Sequence, residues 1–310
     1  MTAELNFIAA LRDIATTPEA RGLRDDTALL GDLVLTHDMI AQGVHYLPAD
    51  PPESVAAKLV AVTLSDLAAK GGTPVGVLLG YCLGDGEWDR RFVAGLGEAL
   101  AHYDCALFGG DTIALPRQSP RVLGLTAIGR AAGRVPDRTG GHAGDGLWLV
   151  GTLGDSAAGL AELLVDPAAS GPLVDAYRRP RALIAEGRAL VPYASAMMDV
   201  SDGLLIDARR MADASGARIA VDLATVPLSA PFRAARGDDR TARLFAATGG
   251  DDYALLAALR PGVEDQVRKS LPSGAHLVRI GELVAGEGIS LHDAGAPVDL
   301  PEHLGHEHQS

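Results

Sequence analysis

Ala196-Met197-Met198-Asp199-Val200-Ser201-Asp202-Gly203-Leu204 is the stretch from which this chain is best read. A short apolar run ends on an aspartate. A serine, a second aspartate and a glycine follow, and an amphipathic run begins at Leu204. The order is strand, turn, helix start. Ser201 and Asp202 are good helix N-cap types, because a side-chain oxygen can accept one of the first unpaired helix N–H groups. Capping needs only one such residue and does not explain Asp199 at the end of the strand. A cap plus a turn aspartate accounts for the segment alone. Two carboxylates beside a helix N-terminus also suit a divalent cation that carries a phosphate.

The same arrangement recurs on both sides of this stretch. Leu33-Val34-Leu35 is a short strand that runs through Thr36-His37 into Asp38, and Asp25-Asp26 precedes the apolar Ala28-Leu29-Leu30. Ala106-Leu107-Phe108 is a short strand that ends in Gly109-Gly110-Asp111-Thr112, where two glycines let a ligand's phosphates approach the backbone. Thr248-Gly249-Gly250-Asp251-Asp252-Tyr253 leads into the apolar strand 254–259. Asp66 lies in an apolar helix that opens at Pro52 and stops at Gly71-Gly72. It sits either on a polar stripe of that helix or against a charge partner, since a lone buried carboxylate is costly. His45, in Gly43-Val44-His45, is either an ordinary half-buried histidine or a ligand contact.

Strands and helices alternate in both halves, which predicts a mixed α/β (α+β) fold. Between Gly129 and Gly146 the composition shifts to Gly, Arg, Pro and Asp. The expected domains are therefore 1–135 and 136–310, sizes that suit a chain of 310 residues.

Net charge is −13, so a nucleic-acid backbone is an unsuitable partner. Metal ions can still carry phosphate ligands to such a surface. Cys82 and Cys105 lie in apolar strands and form neither a disulfide framework nor a CxxC metal pair. The first twenty residues resemble a surface helix rather than a signal peptide, and no apolar run reaches the ~20 residues that span a bilayer. A cytoplasmic protein is expected.

If Asp26, Asp38, Asp66, Asp111, Asp199 and Asp202 converge, they repel one another and raise one another's pKa unless cations neutralise them. Hard oxygen ligands with almost no Cys or His favour Mg²⁺ over zinc. The chain has no GxxxxGK[ST] loop and no protein-kinase signature set. Its three lysines (Lys58, Lys70, Lys269) lie outside the glycine-rich loops. Nucleotide binding here would depend on metals and backbone N–H groups.

These segments resemble the bacterial thiamine-monophosphate kinases, in the superfamily typified by aminoimidazole ribonucleotide synthetase. The resemblance runs from about residue 22 to 285. It rests on Asp25-Asp26-Thr27-Ala28-Leu29, Thr36-His37-Asp38 with Gly43-Val44-His45, Leu64-Ser65-Asp66-Leu67-Ala68-Ala69-Lys70-Gly71, Gly109-Gly110-Asp111-Thr112, the run from Gly151 to Leu160, Asp199-Val200-Ser201-Asp202-Gly203-Leu204, and Gly249-Gly250-Asp251-Asp252-Tyr253, in the family's order. It implies ATP-dependent phosphorylation of thiamine monophosphate to thiamine diphosphate by direct in-line transfer. It implies several Mg²⁺ ions on Asp26, Thr36, Asp38, Asp66, Asp111, Asp199 and Asp202, with Asp111, Asp199 and Asp202 at the reacting centre. By the same pattern Gly110, Asp111, Arg134 and Ser201 contact ATP, and His45 and Asp251 contact the thiamine substrate. The implied fold is an aminoimidazole ribonucleotide synthetase-like pair of domains, whose N-terminal sheet completes a barrel with that of a homodimer mate and whose C-terminal domain is α/β.

Three departures from the family pattern stand out. His37 replaces a frequent threonine. The GGEDYE motif is here Gly249-Gly250-Asp251-Asp252-Tyr253-Ala254. The tail Gly305-His306-Glu307-His308-Gln309 lacks the family's aromatic. These changes fall on the substrate side, not the metal side. The alternatives are another ATP-using enzyme of the superfamily and a nucleotide-binding protein that has lost catalysis. Cys82 and Cys105 do not match the reactive cysteine positions of selenophosphate synthetase or of the hydrogenase-maturation member.

Overall fold

The computed structural model describes residues 3–116 and 119–307; His308 and Gln309 of the tail lie outside them. The first unit comprises α1 (Ala3–Arg12), β1 (Ala28–Leu30), β2 (Leu33–Ala41), α2 (Pro52–Ala69), β3 (Thr73–Leu83), α3 (Gly86–His102), β4 (Ala106–Ala114) and β5 (Val122–Arg130). Its five strands lie in the order β1-β2-β5-β3-β4, and only the β3–β4 pair is parallel. The second unit comprises β6 (Gly146–Val150), α4 (Asp155–Val165), α5 (Pro172–Arg178), α6 (Ile184–Leu190), β7 (Ala194–Val200), α7 (Leu204–Ser215), β8 (Arg218–Asp222), α8 (Ala230–Arg236), α9 (Arg240–Gly249), β9 (Ala254–Leu259), α10 (Glu264–Ser270), β10 (Leu277–Val284), β11 (Ile289–Asp293) and β12 (Ala296–Val298). Its seven strands lie in the order β12-β11-β8-β10-β6-β9-β7, antiparallel except for β8–β11.

Helix α2 joins the two units. Pro52 at its start lacks the N–H that would be unpaired there anyway, and Gly71 just beyond its end takes a left-handed φ of 65°. It is apolar on nearly every side, as a helix packed all round must be. Val55, Leu59, Leu64 and Leu67 are sealed in one core with Val34, Val77, Leu123 and Leu125 of the first sheet. Ala68 and Ala69 belong to another core, with Val150, Met197, Leu255 and Leu259 from β6, β7 and β9 of the second sheet. Each fully buried leucine contributes about 1.5–3 kcal/mol. Any polar side chain on α2 is thereby carried into the seam between the units.

The strand that sequence places at 106–108 continues to Ala114, so Gly109-Gly110-Asp111-Thr112 is extended chain rather than a glycine loop. Gly110 pairs with Leu79, and a Cβ at Gly110 would stand 1.9 Å from the Leu79 carbonyl oxygen. The glycine permits strand pairing there. β4 is an edge strand exposed along its whole length. Among the described residues no helix is long and apolar enough to cross a membrane.

Candidate active site

The Asp199–Gly203 turn closes the C-terminal end of β7, a strand buried at every residue. Ser201 and Asp202 do not cap α7 with their side chains; the cap position is Gly203, at φ 125°. The capping carboxylate comes from inside the helix. Asp207 accepts the backbone N–H groups of both Ser201 and Asp202 at 3.1 Å. It is wholly buried, and burial pushes its pKa up to about 6. Arg210 donates to Asp207 at 2.8 Å and to Asp202 at 2.5 Å.

A second loop and the tail brace this turn. Asp251 N–H donates to the Ser201 carbonyl at 2.6 Å, and Tyr253 N–H to that of Val200 at 2.8 Å. Gly250, Asp251 and Tyr253 all have left-handed φ (72°, 64° and 54°), so the loop is sharply bent against the turn. His306 N–H donates to the Asp202 carbonyl at 2.8 Å.

Carboxylates from both units meet beside Asp199. One oxygen from each of Asp26, Asp66 and Asp199 lies within 4.8 Å of the others. Asp26 comes from the loop before β1, Asp66 from α2 and Asp199 from β7. The Thr36 hydroxyl, on β2, donates to Asp66 and stands 3.3 Å from the Asp26 carbonyl. Ser65 Oγ donates to Asp199 at 2.6 Å. Asp38, two residues along β2, faces the same group. Burial lifts the pKa of Asp38 and of Asp199 to about 6. Burial raises Asp66 well above the usual carboxylate range, and repulsion from Asp38 and Asp199 adds to it.

Lys70 and Arg138 form their ion pairs with this group at Asp25 and Asp26. Lys70, fully buried, donates to Asp25 at 2.6 Å and to the Met197 carbonyl at 3.2 Å, with Asp26 at 3.7 Å. Arg138 pairs with Asp26, and burial lowers its own pKa. Arg21 joins Asp25 at 2.7 Å to Asp137 at 2.9 Å. Asp38 Oδ2 is buried without a hydrogen-bond partner among the described residues. Buried hard oxygens, an unpartnered carboxylate oxygen and no sulfur or imidazole among the ligands fit a divalent cation such as Mg²⁺.

The other expected site residues are more scattered. Asp111 is exposed on β4 outside the carboxylate group, its own carboxylate turned to the Thr112 N–H at 2.9 Å. Gly110 lies beside it. Arg134 is exposed and donates to the Ala194 carbonyl at the start of β7. Ser201 and Asp202 are half-buried on the turn. His45 is half-buried, and its Nδ1 accepts the Ala41 N–H at 3.1 Å. Asp251 borders a cavity of about 350 Å³ with Ser156, Arg179, Arg181 and Tyr253. Its carboxylate is engaged by Lys58 at 2.5 Å, Ser156 at 2.7 Å and Tyr253 at 2.9 Å.

Sequence reasoning missed Ser65, Lys58, Lys70, Arg138, Asp207 and Arg210. The signal for two of them was present. Lys58 and Ser65 stand seven apart on α2, hence on one face, within a run otherwise almost free of charge. A lysine in such a helix requires a counter-charge supplied by the fold.

Residues 24–131 match the family model described as AIR synthase related protein, N-terminal domain, and residues 142–294 match that for the C-terminal domain. A two-domain AIR synthase-related fold with a carboxylate site between its domains is the class this chain represents. Within it, the thiamine-monophosphate kinase of Caulobacter vibrioides is 38% identical, over 94% of this chain and 86% of its own length. That of Escherichia coli K12 is 34% identical, over 93% and 91%. A solved structure described as AaThiL complexed with AMPPCP and TMP superposes with a TM-score of 0.84 at 29% identity, covering 98% of this chain and 97% of that one. The chain belongs to the thiamine-monophosphate kinase family.

Proposed function

We propose that this chain transfers the γ-phosphoryl group of ATP to the phosphate of thiamine monophosphate, giving thiamine diphosphate and ADP. The observation that carries this reading is the Asp26–Asp66–Asp199 group at the seam of the two units, half-buried except for the buried Asp199, in a chain so similar to curated thiamine-monophosphate kinases. The relative bound to AMPPCP and TMP supports ATP and thiamine monophosphate as the two ligands.

Asp26, Asp38, Asp66 and Asp199, with Thr36, would hold Mg²⁺ ions. Bound there, Mg²⁺ supplies charge neutralisation to phosphate groups that otherwise repel. The chain's own residues do the rest. Ser65 and Thr36 fix Asp199 and Asp66 with their oxygens directed into the site. Arg210 and Asp207 hold Asp202 and the turn. Gly110, Asp111, Arg134 and Ser201 are assigned to the nucleotide and His45 to the acceptor. The acceptor phosphate is already an anion, so no side chain has to remove a proton from it. Alignment of donor and acceptor is the main task of the protein.

A second copy is proposed to cover β4. Leu107, Phe108 and Ile113 are each more than half exposed on that edge, with Leu78 on β3 and Met39 on β2 also exposed. Pairing of two such sheets would form the expected barrel and bring Asp111 to a shared interface. Because the reaction consumes ATP, we place it in the cytoplasm.

The deciding experiment follows thiamine diphosphate formation from thiamine monophosphate and Mg-ATP in the parent, Asp199→Asn and Asp111→Asn chains. Activity in the parent that collapses in both variants supports the reading. A parent that binds Mg-nucleotide but forms no product would retain the nucleotide site and remove the thiamine assignment.

A further inference from the structure

We propose that Lys58 and Asp251 act as a positioning pair: an ion pair, its ammonium buried and its carboxylate partly exposed, that locks the Gly249–Tyr253 loop to helix α2 and thereby holds the Asp199–Asp202 turn in register with Asp66. On this view Asp251 acts through the turn, in addition to the acceptor contact that the family resemblance implies. The inference rests on the proposed phosphotransfer site.

Lys58 is 2% exposed, and its ammonium group has two neighbours of the right kind. It donates to Asp251 Oδ2 at 2.5 Å and sits 4.0 Å from the centre of the Tyr177 ring. A buried ammonium is tolerated only with such compensation. The residues are 193 apart in sequence and belong to different units.

Asp251 is equally committed. Ser156 Oγ donates to Oδ2 and Tyr253 OH to Oδ1. With Lys58, three donors meet the carboxylate, whose side chain stays 29% exposed beside the cavity. The backbone around it does the holding. Asp251 N–H and Tyr253 N–H grip the Ser201 and Val200 carbonyls on either side of the turn. Helix α2 therefore reaches the metal-side carboxylates by two routes. Ser65 bonds Asp199 directly, and Lys58, two turns earlier on the same face, acts through Asp251. Asp66 is carried on that helix as well.

The pair is tested with Lys58→Met, Asp251→Asn and the double variant, with thermal unfolding to establish that each is folded. Two readouts are taken: steady-state kinetics, and the Mg²⁺ concentration needed for half-maximal binding of a non-hydrolysable ATP analogue. Loss of a residue that orients ligands is expected to cost about 10- to 100-fold in kcat or metal affinity. In Lys58→Met the KM for thiamine monophosphate should stay within about twofold, because Lys58 is buried and no acceptor contact is removed. The double variant should need no more Mg²⁺ than Lys58→Met, since the two groups act as a unit. A raised KM with unchanged kcat in Lys58→Met would overturn the proposal. So would additive losses of Mg²⁺ affinity in the double variant, or an unshifted Mg²⁺ requirement. If Lys58→Met does not fold, Asp251→Asn gives the Mg²⁺ test alone. If the parent fails to phosphorylate thiamine monophosphate, the analogue-binding readout still decides the pair independently of the acceptor.

Discussion

Ser65 Oγ donates to Asp199 Oδ2 at 2.6 Å across the seam between the two sheets. The bond joins a helix of the first unit to a strand end of the second and stabilises the charged form of Asp199. Burial opposes it and prevails, so Asp199 titrates near 6 rather than near 3.8, as Asp38 does.

That shift has a definite sign. A carboxyl whose pKa is raised by folding favours the metal-free fold fully below its unfolded value. The contribution is lost as pH rises through the folded value. Bound Mg²⁺ needs the ionised forms and supplies the missing compensation. We expect the gain in melting temperature on replacing chelator with Mg²⁺ to be larger at about pH 8 than at about pH 5. Ser65→Ala removes a bond that favours ionisation, so its Mg²⁺ affinity should reach its plateau at higher pH than the parent's. An equal Mg²⁺ effect at both pH values would contradict this account.

Asp66 provides the complementary test. It is raised by burial and by the charges of Asp38 and Asp199. Asp66→Asn keeps an oxygen to accept from Thr36 and removes one of the repelling charges. In chelator at alkaline pH, where the carboxylates are ionised, we expect the variant to be more stable than the parent. With Mg²⁺ the order should reverse, and turnover should fall by at least about 100-fold. Calorimetry in both buffers measures the reversal. A variant less stable than the parent in chelator would show that the carboxylates do not repel as the geometry requires.

Phe108 tests the second copy. Its ring packs over Gly76, where a Cβ would stand 2.4 Å from the ring, yet it remains 55% exposed. Phe108→Asp places a charge on the proposed interface while disturbing little inside the protomer. Sedimentation should give the parent at twice the 32.0 kDa chain mass and the variant at the chain mass. A parent that sediments as one chain would remove the barrel proposal.

Local grammar made much of the fold legible. Pro52 and Gly71-Gly72 bound α2, and the apolar runs at 147–150, 194–200 and 254–259 are strands. The aspartates at strand ends were legible for the same reason, since a charge directly after a buried run needs a chemical role. What stayed hidden depends on long-range pairing. Gly109-Gly110 has the composition of a loop, and only the parallel contact with Leu79 makes it a strand. Asp207 looks like one more polar residue of an amphipathic helix, and its burial is decided by the turn it folds under. Helices α8 and α9 carried a readable sign that went unused: Ser229 and Asp239 accept the N–H groups of Phe232 and Ala242 as caps.

His306 N–H rests on the Asp202 carbonyl, and Gly305 is pressed so close that a Cβ would stand 2.4 Å from that same oxygen and 2.4 Å from Ile206 Cγ2. Backbone and a β-branched side chain cannot both yield, so Gly305→Ala should lift the tail from the turn. The lost hydrogen bond is worth about 1 kcal/mol, and we expect about a fivefold fall in kcat/KM for thiamine monophosphate. The melting temperature should move little, because Leu304 stays packed against the core of the second unit. A chain cut after Leu304 should match Gly305→Ala in both respects. If the truncated chain keeps full kcat/KM, the contact with Asp202 merely secures a chain end, and the acceptor site is complete without it.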